Sequence, residues 1–363
     1  MPTAEEVANA LAYEFLRDGL FSQSIGPVEV PFLAQAIAVG DGEEVVQERA
    51  SEAFGNIAVQ SVGFEEGPDD PKVHLYLTRG TNKLIKSLPT EISGVPVQTH
   101  KMGNLSIRPD AAASATNHGH YFARNNRVCC GSSCAPTSEN CTGTLGALVR
   151  RSGSPQIYLL SNNHVFAGCN HVPQNQPILS PSSNDGKPSI VAPSEIGRHE
   201  FIHELRSGNP NFVNPCDADL ALARATNAGL ISSWQGDAAD GYDTPVSHTA
   251  PISRMRVKKF GRTTALTTGN VQAKISAPVA VAYNAKHFKG TVWFKDVWTV
   301  QTNTGDPFAL PGDSGSLVVS EDGNNAVGVV FAANNTGEFA WIVPMPCVMA
   351  SFGGLTLVGA HGI

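Results

Sequence analysis

Residues 311–316 read Pro-Gly-Asp-Ser-Gly-Ser, and this hexapeptide says more about fold and chemistry than any other stretch of the chain. Gly312 and Gly315 stand on either side of the Asp-Ser pair, and glycine permits a tight turn that displays the Ser314 hydroxyl. The same turn can point backbone N–H groups inward. A serine hydroxyl alone is a weak nucleophile, so it needs a base and a group that orients the base. Both are therefore expected elsewhere in the chain.

Two upstream segments supply candidates for these two roles. His164 stands in the segment Leu-Ser-Asn-Asn-His-Val, directly after a predicted strand. Asp219 opens the segment Asp-Leu-Ala-Leu, at the start of another predicted strand. Asp217 is the rival, and we prefer Asp219 because the apolar run follows it directly. The chain order of the candidates is histidine, aspartate, serine.

These three motifs in this order resemble those of the chymotrypsin- and trypsin-like serine peptidases. GDSGS resembles their nucleophile motif, SNNHV their histidine motif and DLAL their aspartate motif, and the chain order differs from that of subtilisins and α/β-hydrolases. The resemblance covers roughly residues 142–350. Together with GTLGALV (143–149) and GRTTALTTG (261–269), these motifs are similar to those of a bacterial subfamily with a small α+β N-terminal domain. Plant Narrow Leaf proteins are relatives of that subfamily.

The resemblance implies a mainly β fold, a chymotrypsin-like double β-barrel preceded by a small α+β domain. It implies that Ser314 attacks the scissile carbonyl, that His164 accepts its proton and that Asp219 orients the imidazole. The N–H groups of Gly312 and Ser314 would form the oxyanion hole. The implied function is a serine endopeptidase working through an acyl-enzyme, regulated by its N-terminal domain or by a partner. The alternative is a latent or pseudo-peptidase that serves as a partner-binding scaffold.

The resemblance also suggests where a substrate side chain would bind. Phe308 occupies the position at which trypsin-like enzymes keep the residue at the base of their pocket. Val329, Phe331 and Ala332 belong to the strand expected to line one wall. Since none of these residues is acidic, we expect a small or apolar substrate side chain before the scissile bond.

Asp313 raises the question of activation. In trypsin-like zymogens this aspartate pairs with a newly freed N-terminus, but no obvious activation site precedes Gly143. Either an internal cation such as Arg124, Arg127 or Arg262 neutralises Asp313, or a partner orders the site.

Short predicted strands separated by glycine and proline turns dominate the second part of the chain. We divide the chain into an N-terminal helical and α+β domain (1–108), a Cys/Ser/Asn-rich linker (109–141) and a trypsin-like domain (142–363). Helices are predicted over residues 3–18, 43–54 and 81–87. Strands are predicted over 56–62, 72–77, 95–99, 144–149, 157–160, 220–223, 257–260, 271–275, 292–300, 316–319, 326–331 and 339–343.

Composition excludes several classes of protein. Hydrophobic residues make up 41% of the 363 residues, enough for a sizeable core, whereas charged residues make up only 16%. The net charge of −7 argues against a nucleic-acid binder. Because no apolar run reaches ~18 residues, no membrane span is expected. We expect a protein or peptide as substrate and leave open an activating protein partner and a homo-oligomer.

The chain has 7 cysteines. Residues 1–19 have no basic segment followed by an apolar one, so we expect no export and a reducing, cytoplasmic location. The cysteines would then be thiols or metal ligands rather than a disulfide framework. One cluster leaves zinc, a disulfide and free thiols open, although we expect neither a metal nor a cofactor. It comprises His118, His120, Cys129, Cys130, Cys134 and Cys141.

Overall fold

The computed structural model describes most of the chain from residue 121 onward and several segments before it. The described residues are 2–17, 21, 58–67, 70–79, 85–86, 88–103, 105–107, 121–185, 191–206, 208, 210, 213–214 and 216–363. The predicted helix over 43–54 and most of the one over 81–87 lie outside these residues. No helix within the described segments is long and apolar enough to cross a membrane.

The first helix follows directly from its sequence. Thr3 and Glu6 form a capping box: the Glu6 N–H donates to Thr3 Oγ1 over 3.2 Å, and the Thr3 N–H donates to Glu6 Oε2 over 2.8 Å. Leu11 and Phe15 recur at helical spacing and are buried. The α-helices within the described residues are α1 (Ala4–Arg17), α2 (Asn163–Phe166) and α3 (Met345–Ala350).

Short strands make up most of the remaining regular structure, as the turn-rich sequence predicts. The strands before the first catalytic candidate are β1 (Ala58–Glu65), β2 (Lys72–Arg79), β3 (Glu91–Ile92), β4 (Val95–Lys101), β5 (Ser106–Ile107), β6 (Ala123–Arg124), β7 (Arg127–Cys130), β8 (Ser133–Pro136), β9 (Gly143–Thr144), β10 (Ala147–Arg151) and β11 (Tyr158–Ser161). The next are β12 (Pro177–Ser180), β13 (Ser194–Ile202), β14 (Ala221–Ala225), β15 (Ile231–Gln235), β16 (Tyr242–Asp243) and β17 (Ser247–His248). The last are β18 (Arg256–Gly261), β19 (Ala265–Ile275), β20 (Val279–Asn284), β21 (Lys289–Phe294), β22 (Trp298–Thr302), β23 (Leu317–Ser320), β24 (Asn325–Ala333), β25 (Phe339–Pro344) and β26 (Leu355–Leu357).

Six of these strands close into a barrel. The hydrogen-bonded order β18-β23-β24-β25-β22-β19 returns to its start because β19 also pairs with β18. Closure leaves no free edge within the ring. An apolar cluster that includes Val271, Val300 and Ile342 fills one part of this region.

A second, curled sheet forms a half-barrel beside the first. Its order is β26-β10-β11-β14-β13-β12-β8-β9. Leu148, Leu159 and Ala223 lie in its buried cluster. A closed barrel and a curled half-barrel confirm the predicted mainly β, chymotrypsin-like fold class.

The N-terminal strands continue the sheet of the closed barrel. β1 pairs with β19, where Gly63 lies opposite Ile275, and β2, β4 and β3 follow outward. A side chain at Gly63 would meet Ala273 and Lys274 at 3.0 Å, so the close approach of these strands favours glycine. Helix α1 packs against β1 and β2. The predicted domain boundaries stay a prediction.

Residues 121–141 differ from the irregular linker that their composition predicts. Here β7 pairs with β15, and β8 pairs with β12 and β9. The strands are too short, and their side chains too evenly buried, to produce an alternating pattern in the sequence. Residues 109–120, with His118 and His120, lie outside the described residues.

Candidate active site

His164 and Asp219 are in direct contact. The ring Nδ1 of His164 lies 2.5 Å from Asp219 Oδ2, and the His164 backbone N–H donates to Asp219 Oδ1 over 3.0 Å. Both side chains are buried. Because Asp219 engages Nδ1, the other ring nitrogen is free to exchange a proton with a neighbouring group.

The strand pairing explains why these two residues meet. β11 and β14 are antiparallel neighbours, with Ser161 opposite Ala221. The histidine follows the end of β11 in the short helix α2, and the aspartate precedes the start of β14, so both leave the sheet at the same end. Asn162 ties the segments together, because its Nδ2 donates to the backbone carbonyl of Asp219 over 2.6 Å.

Asp217 lies in a local turn instead. Its Oδ2 accepts from the backbone N–H of Asn214 over 2.9 Å. Of the two aspartates considered from the sequence, it is thus Asp219 whose carboxylate meets the histidine ring.

Ser314 lies in a tight turn whose backbone bonds are largely satisfied. The Asp313 N–H donates to Leu310 O over 2.9 Å, and the Gly315 N–H donates to Val330 O over 2.8 Å. Gly312 and Gly315 have φ angles of 102° and 95°, which disfavour any residue with a Cβ. The motif therefore needs both glycines for its backbone conformation.

The serine turn rests against the segment that leads to the histidine. Thr144 links the two, since its N–H donates to Ser314 O over 2.9 Å and its carbonyl accepts from Ser161 Oγ over 2.7 Å. A Cβ on Gly315 would lie 2.3 Å from Ser161 Oγ. Ser314 is thereby brought to the end of β11 from which the histidine projects. Within the described part of the chain, the Ser314 hydroxyl itself makes no hydrogen bond.

Two threonine hydroxyls fix the peptide planes on either side of Gly312. Thr263 Oγ1 donates to Pro311 O over 2.8 Å, and Thr144 Oγ1 donates to Gly312 O over 2.8 Å. In a trans peptide the N–H points away from the preceding carbonyl, so the Gly312 N–H points away from Thr263. Among the described residues, neither the Gly312 N–H nor the Ser314 N–H donates to a protein acceptor. Two free donors next to a serine hydroxyl are what an oxyanion hole requires.

Asp313 is held from several sides. Its Oδ1 accepts from the Thr263 N–H over 2.8 Å, and its Oδ2 accepts from the Leu310 N–H over 2.8 Å and from Thr264 Oγ1 over 2.9 Å. Lys259 Nζ lies 3.7 Å from Oδ2. Burial lowers the pKa of Lys259, and the charge of Asp313 opposes that shift.

An internal cation does lie beside Asp313, but it is Lys259 and not one of the three arginines named from the sequence, which have other partners. Arg262 forms a buried ion pair with Asp185. Arg124 lies over the ring of Trp234, and Arg127 Nε donates to Gly229 O. The sequence marks Lys259 only as one lysine of an adjacent pair, and nothing there distinguishes it from exposed lysines.

The predicted substrate-binding side chains are all buried. Phe308 packs in the core of the closed barrel, beneath Lys259. Val329, Phe331 and Ala332 belong to the largest apolar cluster. The structure thus places these side chains in packed cores rather than on an open surface, and the substrate preference stays a prediction.

The cysteines depart from the expectation that all are thiols or metal ligands. Cys216 and Cys347 form a disulfide that joins the loop before Asp219 to helix α3. Five other cysteines are buried and lie outside this disulfide: Cys129, Cys130, Cys134, Cys141 and Cys169. No group of three or more potential ligands within the described residues could hold a metal ion. The sequence could not select the Cys216–Cys347 pair, because its members lie 131 residues apart.

Comparison with known proteins adds one curated relative. The rice (Oryza sativa subsp. japonica) protein NARROW LEAF 1 is 30% identical over 254 residues, which cover 66% of this chain and 40% of that protein. This chain therefore spans less than half the length of the relative it matches. No protein-family profile matches the chain.

Solved structures with some similarity include two proteases that align over nearly their whole length. A glutamic acid-specific serine protease, described as using a histidine triad in substrate binding, aligns over 64% of this chain and 100% of its own, with 20% identity and a TM-score of 0.43. Thermobifida fusca protease A aligns over 64% of this chain and 98% of its own, with 17% identity and a TM-score of 0.42.

Proposed function

We propose that this chain is a serine endopeptidase whose triad is Ser314, His164 and Asp219. The observation that carries the proposal is the 2.5 Å contact between His164 Nδ1 and Asp219 Oδ2 beside the glycine-flanked serine. An aspartate on Nδ1 leaves the opposite ring nitrogen to act as the base.

The reaction proceeds in two halves. Ser314 Oγ forms a bond to the scissile carbonyl carbon while its proton passes to His164, and the oxyanion is bound by the N–H groups of Gly312 and Ser314. Collapse of the tetrahedral species breaks the C–N bond, and the histidine gives its proton to the leaving amine. Water then repeats the sequence on the acyl-enzyme and releases the acid. No cofactor is needed for this chemistry.

The intact chain is proposed to have a formed site. Lys259 and the hydrogen bonds to Asp313 supply internally what a freed N-terminus supplies in trypsin-like zymogens. The peptidase would then need no cleavage before Gly143.

A latent peptidase or partner-binding scaffold is the second candidate. It is favoured by the Ser314 hydroxyl, which makes no hydrogen bond to the histidine among the described residues. Bonds between nucleophile and base are often loose before substrate binds, so this observation does not outweigh the first proposal. A partner that reorders the serine turn would convert the latent peptidase to the active one.

A peptide library tests the proposed function. The wild-type chain is expected to cleave peptides after a small or apolar residue, and Ser314→Ala is expected to cleave none. A cytoplasmic location also stays a prediction, and the Cys216–Cys347 disulfide weighs against it because disulfides persist mainly in oxidising compartments. Cell fractionation tests that location separately.

A further inference from the structure

We propose that Tyr283 is a positioning residue that holds the Asp219 carboxylate against the His164 ring, an inference that rests on the function proposed above. The Tyr283 hydroxyl donates to Asp219 Oδ2 over 2.7 Å, and the same oxygen lies 2.5 Å from His164 Nδ1. The tyrosine ring also meets the histidine ring edge-on, with centroids 6.1 Å apart. No sequence motif marks this residue.

The tyrosine completes the hydrogen bonding of a fully buried carboxylate. Asp219 receives donors from the His164 ring, the His164 backbone and the Tyr283 hydroxyl. A buried carboxylate needs such donors, because water cannot solvate its charge. With both Oδ2 bonds made, rotation of the carboxylate away from the histidine would break two contacts at once.

The hydroxyl is a permanent donor. Burial raises the pKa of Tyr283, and the negative charge of Asp219 raises it further. The group therefore keeps its proton throughout the pH range in which the peptidase would work.

Packing fixes the ring. Tyr283 meets Phe288 edge-on at 5.9 Å and lies 6.4 Å from Phe294, which in turn contacts Phe331 at 4.9 Å. The phenylalanines leave the ring little room to swing, so the hydroxyl position follows from the backbone of β20.

The backbone of β20 is held in turn by residues that precede the predicted peptidase domain. β5 pairs with it in parallel, with Ile107 opposite Tyr283. Gln60 Nε2 of β1 donates to Ala280 O over 2.7 Å, and the Ala282 N–H donates to Leu105 O over 3.1 Å. These strands thus set where the tyrosine meets the aspartate.

The hydroxyl should also tune the basicity of the histidine. By donating to Oδ2, it stabilises the negative charge of the Asp219 carboxylate. That carboxylate then attracts the protonated His164 ring less strongly. Removing the hydroxyl strengthens the pull of Asp219 on a protonated ring, so the ring holds its proton to higher pH. Since catalysis needs the neutral ring, the acid limb of activity should move to higher pH.

Tyr283→Phe tests this proposal, because it deletes the hydroxyl and keeps the ring. We expect kcat to fall roughly tenfold through misplacement of the base, with KM changed less than about twofold. We expect the midpoint of the acid limb to rise by about 0.5 pH unit. Tyr76→Phe is the matched control: it also deletes a buried hydroxyl, one that donates to Gln272 Oε1 over 2.7 Å. It should lower stability without moving the acid limb.

A second readout does not depend on activity. In Ser314→Ala protein, the ring of His164 can be titrated by NMR, its signal assigned by its loss in His164→Gln. Adding Tyr283→Phe should shift that titration to higher pH. An inactive wild type with a shifted titration would overturn the peptidase while supporting the role of the tyrosine. An unchanged titration, or a change shared by Tyr76→Phe, would overturn the proposal for Tyr283.

Discussion

Lys259 Nζ lies 3.7 Å from Asp313 Oδ2, and neither side chain has any surface exposed to solvent. The lysine also donates to Thr264 Oγ1 over 2.6 Å, and this hydroxyl donates to the same aspartate oxygen. The residue next to the proposed nucleophile is thus neutralised from within the chain.

The buried ion pair can be tested by Lys259→Met. Removing one partner of a buried pair leaves an uncompensated charge, so we expect the free energy of unfolding to fall by about 3–5 kcal/mol. Denaturant unfolding measures this loss. Adding Asp313→Asn to Lys259→Met should recover part of the stability. Lys258→Met, on the neighbouring and partly exposed lysine, should cost about 1 kcal/mol or less. Equal losses of stability at the two lysines would show that the Lys259–Asp313 ion pair does not stabilise the fold.

The choice between the two aspartates can be tested by kinetics. Asp219→Asn should lower kcat by roughly 10³-fold or more, because it removes the group that fixes the histidine tautomer. Asp217→Asn should leave kcat nearly unchanged, since the Asp217 carboxylate bonds to Asn214 in a local turn rather than to the histidine of the triad. The double variant His164→Ala/Ser314→Ala should be no worse than either single variant, because the residues act as one unit. Strictly multiplicative losses would argue against a triad.

Acid should destabilise the protein through a buried histidine cluster on the N-terminal strands. Burial, with the charge of His74 as a second cause, lowers the pKa of His100 to about 3. Burial alone would raise the pKa of Glu65, but its hydrogen bonds with His74 and Arg254 lower it to about 2. The unfolded chain binds these protons at higher pH than the folded chain, so stability is lost as pH falls.

His100 and Glu65 affect stability over different ranges of pH. The contribution of His100 is complete above its unfolded value of 6.5 and declines from there toward pH 3, and that of Glu65 declines from 4.5 toward 2. Between pH 7 and 4 we expect a loss on the order of 4 kcal/mol, most of it from His100. His100→Gln should flatten the profile between pH 6.5 and 4.5, and the exposed His248→Gln should leave it unchanged. Parallel profiles for all three proteins would refute the assignment.

The hydrogen bond from the Gln60 side chain to the Ala280 carbonyl of β20 can be tested by substitution. Gln60→Leu leaves the Ala280 carbonyl without its side-chain donor, at a cost of about 1–3 kcal/mol in the free energy of unfolding. If this hydrogen bond helps to position Tyr283, kcat should fall as well. Gln98→Leu is the control, an exposed glutamine on β4. Loss of stability with an unchanged kcat would mean that the N-terminal strands support the fold only.

Local motifs predicted more of the site than of its surroundings. The glycine-flanked turn and the residues that begin and end strands are short-range features, so His164, Asp219 and Ser314 could be named from the sequence. Strand alternation likewise predicted β2 and β4 closely. Burial on both faces and short length hid β7 and β8, whose composition resembled a linker.

The supporting residues could not be predicted because their partners are distant in sequence. Tyr283 donates to the Asp219 carboxylate, which lies 64 residues earlier in the chain. Lys259 lies on β18, and its partner Asp313 lies in the loop before β23. Only the closure of the barrel and the placement of β20 beside β5 bring these groups together. The Cys216–Cys347 disulfide cannot be predicted for the same reason, and because the N-terminal residues indicate a reducing compartment.

Labelling with a fluorophosphonate tests the central claim most directly. The intact chain should be labelled at Ser314 without prior proteolysis, because Asp313 is already paired within the chain. Ser314→Ala should take no label, and His164→Ala should take very little. Label that appears only after removal of residues 1–141, or only when another protein is added, would contradict a site formed in the intact chain. No label under any condition would contradict the peptidase itself.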